Sequence, residues 1–459
     1  MNALLALLSL ALCLAIALTA RGGAAAVLFC VAVAAVAGAF LHRVKEHRTF
    51  FLRIFVGGLL LRAGLATLIY VFNLQEFFGG DALTYDSVGN SLVESWQSRY
   101  PLGGDVAATW AGVGGGWGMV YMVGIIYSVV GRNMLAVQLF NSVIGAATAP
   151  LICLCAYHIF QNRRVAYLSA FFVAFYPSLV LWSAQGLKDG PIVFLLALAV
   201  LATLKLGERL SFKYLLALVL ALFAILSFRF YVFYMMAAAV AGSLLVGMKR
   251  FNSGSVGRQF VIIVFAGLAL TYLGVLRRAS VQLETYGNLE KVQASRSDLA
   301  ASAKSGFGKD VDVSTTSGAL SAIPLGLTYL LFAPFPWQLA SLRQSITLPE
   351  MLVWWASFPL LVLGLWFTVK YRLRAALPVI IFTGMLTLAY SLFQGNVGTA
   401  YRQRAQLLVF YFIFVSVGYV LLKERREDAK RRQELSHRAV SEGARAVQEN
   451  RRARAAARA

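Results

Sequence analysis

The chain has 459 residues, of which 59% are hydrophobic and only 14% are charged. A soluble domain carries about a quarter charged residues, so this composition excludes an ordinary soluble protein. The net charge of +22 does not indicate nucleic-acid binding, because Lys and Arg lie in short clusters between apolar runs, where the positive-inside rule places them. We therefore expect an all-α, polytopic transmembrane helical bundle without a nucleic-acid partner.

Apolar runs long enough to cross a bilayer recur along most of the chain. A helical span needs about 20 such residues. Twelve spans are predicted, at residues 3–19, 24–41, 50–72, 134–157, 165–183, 190–207, 212–228, 230–248, 259–276, 350–369, 375–394 and 405–422. They form one predicted membrane domain, residues 1–422, followed by a basic tail, residues 423–459.

Basic clusters in the connectors predict the topology. They lie at residues 42–48, 163–164, 205–213, 249–258, 370–374 and in the tail. The positive-inside rule places these clusters in the cytoplasm. Both termini are then cytoplasmic as well, and we expect an inner-membrane protein. Alternation then puts residues 73–133 and 277–349 outside, as two large outer loops. Within these loops, the apolar runs 116–130 and 320–332 would reverse every later connector if they crossed, so we expect interfacial or re-entrant segments.

The first outer loop concentrates acidic residues. It holds Glu76, Asp81, Asp86, Glu94 and Asp105, a quarter of the acidic residues in the chain. In the string FFGGDALTYDSVGNSL, the glycines allow a tight turn before the first aspartate. Asp81 and Asp86 are about 140° apart on a helix, so they need not share one site. A basic protein with carboxylates at one membrane surface is typical of a site for a general base, a metal ion or a cationic ligand. The alternative is an acidic, solvated helix.

A second candidate segment is YPSLVLWSAQGLKDGP, at the outer end of the run 165–183. It contains Lys188 and Asp189 between two spans. Asp189 could instead cap the helix that begins near Pro191.

A third segment, GNVGTAYRQRAQ, lies between the last two spans and places Arg402 and Arg404 outside, against the charge rule. Cations on the unfavoured side indicate an anionic partner, for which phosphate is the natural candidate. A pair of snorkelling side chains at a helix start is the alternative.

Two more cations are predicted on the same side. They are Arg229 in SFRFYVFY and Arg343 in APFPWQLASLRQ. With the acidic loop they would line one outer cavity that combines carboxylates with phosphate-binding groups. The aromatic residues Trp354 and Trp355 indicate an interfacial belt.

The order of these elements resembles the GT-C superfamily of membrane glycosyltransferases. The similar members are glycosyltransferase family 39-like bacterial relatives of protein O-mannosyltransferases and the aminoarabinose transferase of lipid A. GGDALTYDSVGNSL occupies the place of the acidic motif in their first outer loop, and SLVLWSAQGLKDGPIVF resembles the later segment with a second acidic residue. The stretch GGGWGMVYMVGIIYSVVGRNMLAVQLFNSVIGAATAPL resembles the segment between them. The resemblance is best over residues 50–210. Many relatives have an Asp-Glu pair in the first loop, whereas here Ala82 follows Asp81, so a metal site is not carried over.

The resemblance implies inverting transfer of a sugar from a polyprenyl-phosphate or polyprenyl-diphosphate donor to an acceptor on the outer face. The acceptor could be a lipid, a glycan or a protein, and membrane lipid is an expected partner. No cofactor is assigned, although a divalent metal stays open. Asp81 is the expected general base and Arg402 the expected phosphate ligand. The full candidate set comprises the catalytic residues Asp81, Asp86 and Asp189 and the substrate-binding residues Lys188, Arg229, Arg343, Arg402 and Arg404.

Two other function classes stay open on the sequence. An O-antigen-type polysaccharide polymerase or ligase would also use outer-loop arginines and a lipid-linked sugar. A transporter would place ionisable groups in mid-span, facing a path through the bilayer. Only Arg53 and Arg62 are clear charges within the predicted spans, which makes a transporter the weaker alternative.

Overall fold

The computed structural model describes residues 3–97, 116–246, 253–275, 288–302, 305–339 and 341–456. Within these ranges the chain is all-α, as predicted, and its only β-structure is one bridge between Gly306 and Asn396. Its helices are α1 (Ala3–Thr19), α2 (Gly23–His42), α3 (Arg48–Val71), α4 (Gln75–Phe78), α5 (Asp81–Trp96), α6 (Trp117–Val130), α7 (Met134–Phe160), α8 (Arg163–Phe175), α9 (Pro177–Ser183), α10 (Asp189–Glu208), α11 (Phe212–Phe228), α12 (Phe230–Val246), α13 (Ser253–Tyr272), α14 (Leu289–Ser302), α15 (Thr316–Phe332), α16 (Leu342–Tyr371), α17 (Leu373–Phe393) and α18 (Val397–Ala456).

Each predicted span overlaps one of these helices, except residues 165–183, which cover the pair α8 and α9. Among the described residues, seven helices are long and apolar enough to cross a bilayer, and the bent pair α8–α9 makes an eighth. The other four predicted spans fall on shorter apolar helices, namely α1, α11, α12 and the apolar part of α13, Gly257–Tyr272. These helices make the chain a multi-pass membrane protein. The two runs predicted to be interfacial or re-entrant form α6 and α15, of 14 and 17 residues.

The centre of the bundle is α7, which packs against α2, α3, α8 and α10. The last membrane helix, α18, packs along α16. A glycine allows this contact, since a Cβ atom at Gly364 would lie 1.8 Å from the carbonyl oxygen of Phe414. Small residues at such crossings let helix backbones approach closely, which is a main source of association in membranes.

A proline breaks the span that leads into the candidate site. Helices α8 and α9 meet at an angle of 54°, and Pro177 has no N–H with which to bond the carbonyl of Val173. Arg62 of α3 replaces that donor: its Nη2 bonds Val173 O at 3.0 Å, and its Nη1 bonds Ala174 O at 2.6 Å. Its Nε bonds Ser183 Oγ at 2.7 Å. The buried guanidinium therefore stabilises the break, so its contacts serve the fold and do not indicate a transport path.

Candidate active site

A cavity of about 790 Å³ opens where α5, α9, the α11–α12 turn, α16 and the start of α18 meet. Among the described residues that line it, four are cationic and one is acidic: Lys188, Arg229, Arg343, Arg402 and Asp81. Asp189 is buried behind two of these cations, Arg229 and Arg402, and contacts both. Six of the eight residues predicted from the sequence are therefore brought together in or beside one cavity.

Asp81 is the first residue of α5 and follows a sharp turn. Gly79 and Gly80 adopt φ angles of 133° and 70°, which side chains with a Cβ rarely tolerate. The turn ends the preceding short helix and places the Asp81 carboxylate at the cavity. Its Oδ2 accepts a hydrogen bond from Arg402 Nη1 at 2.6 Å, while 48% of the side chain stays exposed. Asp81 is thus a carboxylate held by one cation and still accessible to a ligand.

Asp189 is the first residue of α10 and is 1% exposed. Its two oxygens do not cap the helix. Oδ1 accepts from Arg229 Nη2 at 2.9 Å, and Oδ2 accepts from Arg402 Nε at 2.7 Å. Both oxygens are therefore engaged by guanidinium groups, and burial separates them from solvent. Asp189 has the contacts of a group that fixes the positions of two arginines.

Arg402 links the two carboxylates. Its Nε and Nη1 donate to Asp189 and Asp81, and its guanidinium lies over the indole of Trp182, 5.7 Å from the ring centroid. Arg229 is held by Asp189 and by Tyr231, whose hydroxyl lies 3.0 Å from Nη1. Hydrogen bonds thus connect the N-terminal parts of α5, α10 and α18 with the α11–α12 turn.

Two donors in this group lack an acceptor among the described residues. They are Arg402 Nη2 and Arg229 Nε. Buried donors without an acceptor are costly, so they usually have a partner in the functional state. Both atoms are buried, and both belong to residues that line the cavity.

Lys188 adds a third cation beside them. Burial and the nearby Arg229 lower the pKa of Lys188 to about 8. Its ammonium group is therefore protonated at neutral pH and becomes neutral in mildly alkaline solution. A cation with this pKa can bind an anionic ligand but would lose that ability as the pH rises.

The structure places two of the predicted residues elsewhere. Asp86 does not line the cavity; it accepts from Arg132 Nη2 at 2.6 Å and from the hydroxyl of Tyr127, which ties α5 to α6 and to the turn that follows it. Arg404 is buried, and its donors bond the carbonyls of Leu331 and Ala333 at 2.8 and 2.7 Å, near the end of α15. Asp105, also noted in the acidic loop, lies outside the described residues.

The structure also differs from the interfacial belt that was predicted at Trp354 and Trp355. Trp354 is fully buried, and its indole N–H donates to Leu331 O at 2.7 Å. Trp355 donates to Phe332 O at 3.1 Å. Both indoles therefore cap the C-terminal end of α15, because the last carbonyls of a helix have no intrahelical donor.

Sequence reasoning missed a buried pair behind the cavity wall. Glu350 of α16 accepts from the hydroxyl of Tyr401 at 2.8 Å, and Tyr401 lines the cavity beside Arg402. A single acidic residue at the start of an apolar run was the available signal, since such residues usually mark functional sites or buried pairs.

The described residues contain no group of three or more His, Cys, Asp or Glu side chains that could hold a metal ion. Asp81 and Asp189, the two carboxylates nearest the cavity, both face the guanidinium of Arg402.

Comparison with known proteins gives evidence on the class of enzyme. Residues 117–273 match the family model of the dolichyl-phosphate-mannose-protein mannosyltransferases. The match supports a membrane glycosyltransferase of the GT-C type. It spans α6 to α13 and includes Lys188, Asp189 and Arg229. Asp81, Arg343 and Arg402 lie outside it. A search of curated proteins finds no match to the chain.

Proposed function

We propose that this glycosyltransferase moves a sugar, with inversion, from a polyprenyl-phosphate-linked donor to an acceptor hydroxyl on the outer face of the inner membrane. The observation that carries the proposal is the cavity in which one accessible carboxylate, Asp81, lies among four cations. Such a cavity suits a reaction that needs one base and a stabilised anionic leaving group.

In this reaction Asp81 accepts the proton of the acceptor hydroxyl. The acceptor oxygen attacks the anomeric carbon, and the bond from that carbon to the phosphate oxygen breaks, with the electron pair moving to the phosphate. A single displacement of this kind inverts the anomeric configuration. Asp81 is favoured over Asp189 because its Oδ1 makes no hydrogen bond with the described residues, whereas both oxygens of Asp189 are bonded to arginines.

The cations hold the phosphate. Lys188, Arg229 and Arg402 line the cavity and contribute positive charge, and beneath its surface Arg402 Nη2 and Arg229 Nε are buried donors that the described residues leave unused. The two guanidinium groups are fixed by Asp189, so they need little reorganisation when charge develops on the leaving group.

An apolar edge of the cavity supports a lipid carrier. Leu342 and Ile346, four residues apart on α16, both line the cavity and are 69% and 58% exposed. They lie on one face of the helix. A prenyl chain could pack on this face while its phosphate reaches the cations.

The direct test uses the purified full-length protein in nanodiscs with radiolabelled polyprenyl-phosphate monosaccharides. We expect release of free polyprenyl phosphate when a suitable acceptor is present. Acceptors can be identified by mass spectrometry of cell-surface glycolipids and glycoproteins from a strain that lacks the protein. Transfer only between two lipid-linked oligosaccharides would favour the polymerase or ligase alternative instead.

A further inference from the structure

One wall of the cavity carries uncharged hydrogen-bonding side chains. Ser305, Asn396, Thr399 and Gln403 all line it. Thr399 and Gln403 are four residues apart on α18, about 40° apart around its axis, whereas Arg402 lies about 100° from Gln403. Thr399 and Arg402 are three residues apart, about 60° around the axis, so the start of α18 presents hydroxyl and amide groups next to its cation at the cavity.

The backbone fixes the position of Asn396. Asn396 forms an antiparallel bridge with Gly306, which lies in the segment between α14 and α15. The bridge is flanked by backbone hydrogen bonds from Val397 N to Ser305 O at 3.1 Å and from Phe307 N to Gly395 O at 2.8 Å. A Cβ at Gly306 would lie 1.9 Å from the carbonyl oxygen of Ala300, so this close approach requires glycine. The connection between α17 and α18 is thus built to hold Asn396 in place.

Hydrogen bonds also fix the orientation of the Asn396 amide. Its Oδ1 accepts from Gly398 N at 2.8 Å and from Ser305 Oγ at 2.9 Å. Because a backbone N–H can only donate, the atom that faces Gly398 must be the oxygen, and the NH₂ group must be on the other side. Nδ2 makes no hydrogen bond with the described residues. Asn396, which lines the cavity, therefore has a pre-oriented donor with no acceptor among the described residues.

We propose that this wall is the sugar-binding subsite, in which Asn396 Nδ2 donates to a hydroxyl of the donor sugar and the Thr399 hydroxyl and Gln403 Nε2 bond its other hydroxyls. Gln403 Oε1 already accepts a hydrogen bond from Gln394 Nε2 at 2.6 Å, which fixes the orientation of its amide. The inference rests on the proposed function, since it assumes that the cations hold the phosphate of the same donor. Sugar hydroxyls both donate and accept, as amides and threonine hydroxyls do, and fixed polar groups discriminate strongly against a ligand that leaves them unpaired.

Two variants separate sugar recognition from phosphate binding. Asn396→Asp keeps the oxygen that Gly398 and Ser305 bond but replaces the NH₂ donor with an acceptor. Thr399→Val removes a hydroxyl without changing charge or shape. Thr328→Val is the matched control, because Thr328 is an exposed residue of α15 whose hydroxyl bonds its own helix at Pro324 O.

The measured quantity is the ratio of two dissociation constants for purified protein in nanodiscs. One belongs to polyprenyl phosphate, and the other to the tightest-binding member of a panel of polyprenyl-phosphate monosaccharides. The negative charge of Asn396→Asp weakens both lipids alike and cancels in the ratio. We expect the preference for the sugar-bearing lipid to fall about fivefold in Thr399→Val, which is the size of one hydrogen bond, and to stay unchanged in Thr328→Val. In Asn396→Asp we expect the preference to differ from wild type, because the sugar hydroxyl would have to donate to a carboxylate instead of accepting from an amide.

A wild-type ratio near one, or an unchanged ratio in both cavity variants, would overturn the sugar subsite while leaving phosphate binding intact. Failure of the wild-type protein to bind either lipid would instead contradict the proposed function itself.

Discussion

Asp189 should be the residue on which the stability of the candidate site depends most. The substitution Asp189→Asn removes a charge that is 1% exposed and that lies 2.9 Å from Arg229 and 2.7 Å from Arg402. Removing one partner of a buried ion pair costs about 3 to 5 kcal/mol, because the other charge stays buried without compensation. Arg402 keeps its contact with Asp81, so we expect the lower end, about 3 kcal/mol.

The assay is the free energy of unfolding of the purified protein in detergent, measured by denaturant titration. Asp81→Asn is the matched comparison, since it removes the same charge type from the same arginine. The Asp81 side chain is 48% exposed, and an exposed ion pair contributes only about 0 to 1 kcal/mol. Equal losses in the two variants would refute the view that Asp189 fixes the arginines while Asp81 stays free for chemistry.

Three further predictions concern the cations and the bundle. Because the pKa of Lys188 is lowered to about 8, its charge is present below that pH and lost above it, so kcat/KM for the donor should fall as the pH rises through 8. In Lys188→Arg this fall should disappear; a fall that persists would exclude Lys188 as its source. Arg402→Lys cannot span two carboxylates, so donor affinity or rate should drop about ten- to a hundredfold in a donor titration, whereas unchanged kinetics would remove Arg402 from the site. Gly364→Ala should cost about 1 to 3 kcal/mol of unfolding free energy by overpacking, while Gly384→Ala, which meets no atom within 4 Å, should not destabilise; equal effects would contradict the helix contact.

Much of the fold follows from elementary properties of the sequence. Long apolar runs must form helices in a bilayer, because every backbone polar group needs an internal partner there. This explains why all twelve predicted spans fall on helices. Alternation of sides also predicts that the acidic loop, Lys188 and Arg402 lie on one face of the membrane, and in the structure Asp81 of that loop, Lys188 and Arg402 line one cavity.

The candidate site could be predicted only in part. Arg402 and Arg404 are two residues apart, hence about 200° apart on a helix. That angle alone predicts opposite faces, and the structure has one arginine in the cavity and the other bonded to Leu331 and Ala333. The same reasoning separates Asp81 from Asp86.

Other features depend on contacts that no local pattern encodes. Tyr401 and Glu350 are 51 residues apart in sequence, and the partner of Asp86 is an arginine 46 residues away. Such pairs arise from the packing of several helices together. The apolar composition that predicts the helices does not determine which of their polar side chains will meet.

The measurement that tests the central claim most directly is sugar transfer by purified Asp81→Asn, with Asp86→Asn as control. Both aspartates lie on α5 and both bond an arginine at 2.6 Å, but only Asp81 lines the cavity. Loss of a positioned base costs about 100- to 10,000-fold in rate. We predict a loss of that size in Asp81→Asn with unchanged protein yield, and a rate within a few-fold of wild type in Asp86→Asn. Near-normal turnover by Asp81→Asn would contradict the assignment of Asp81 as the base.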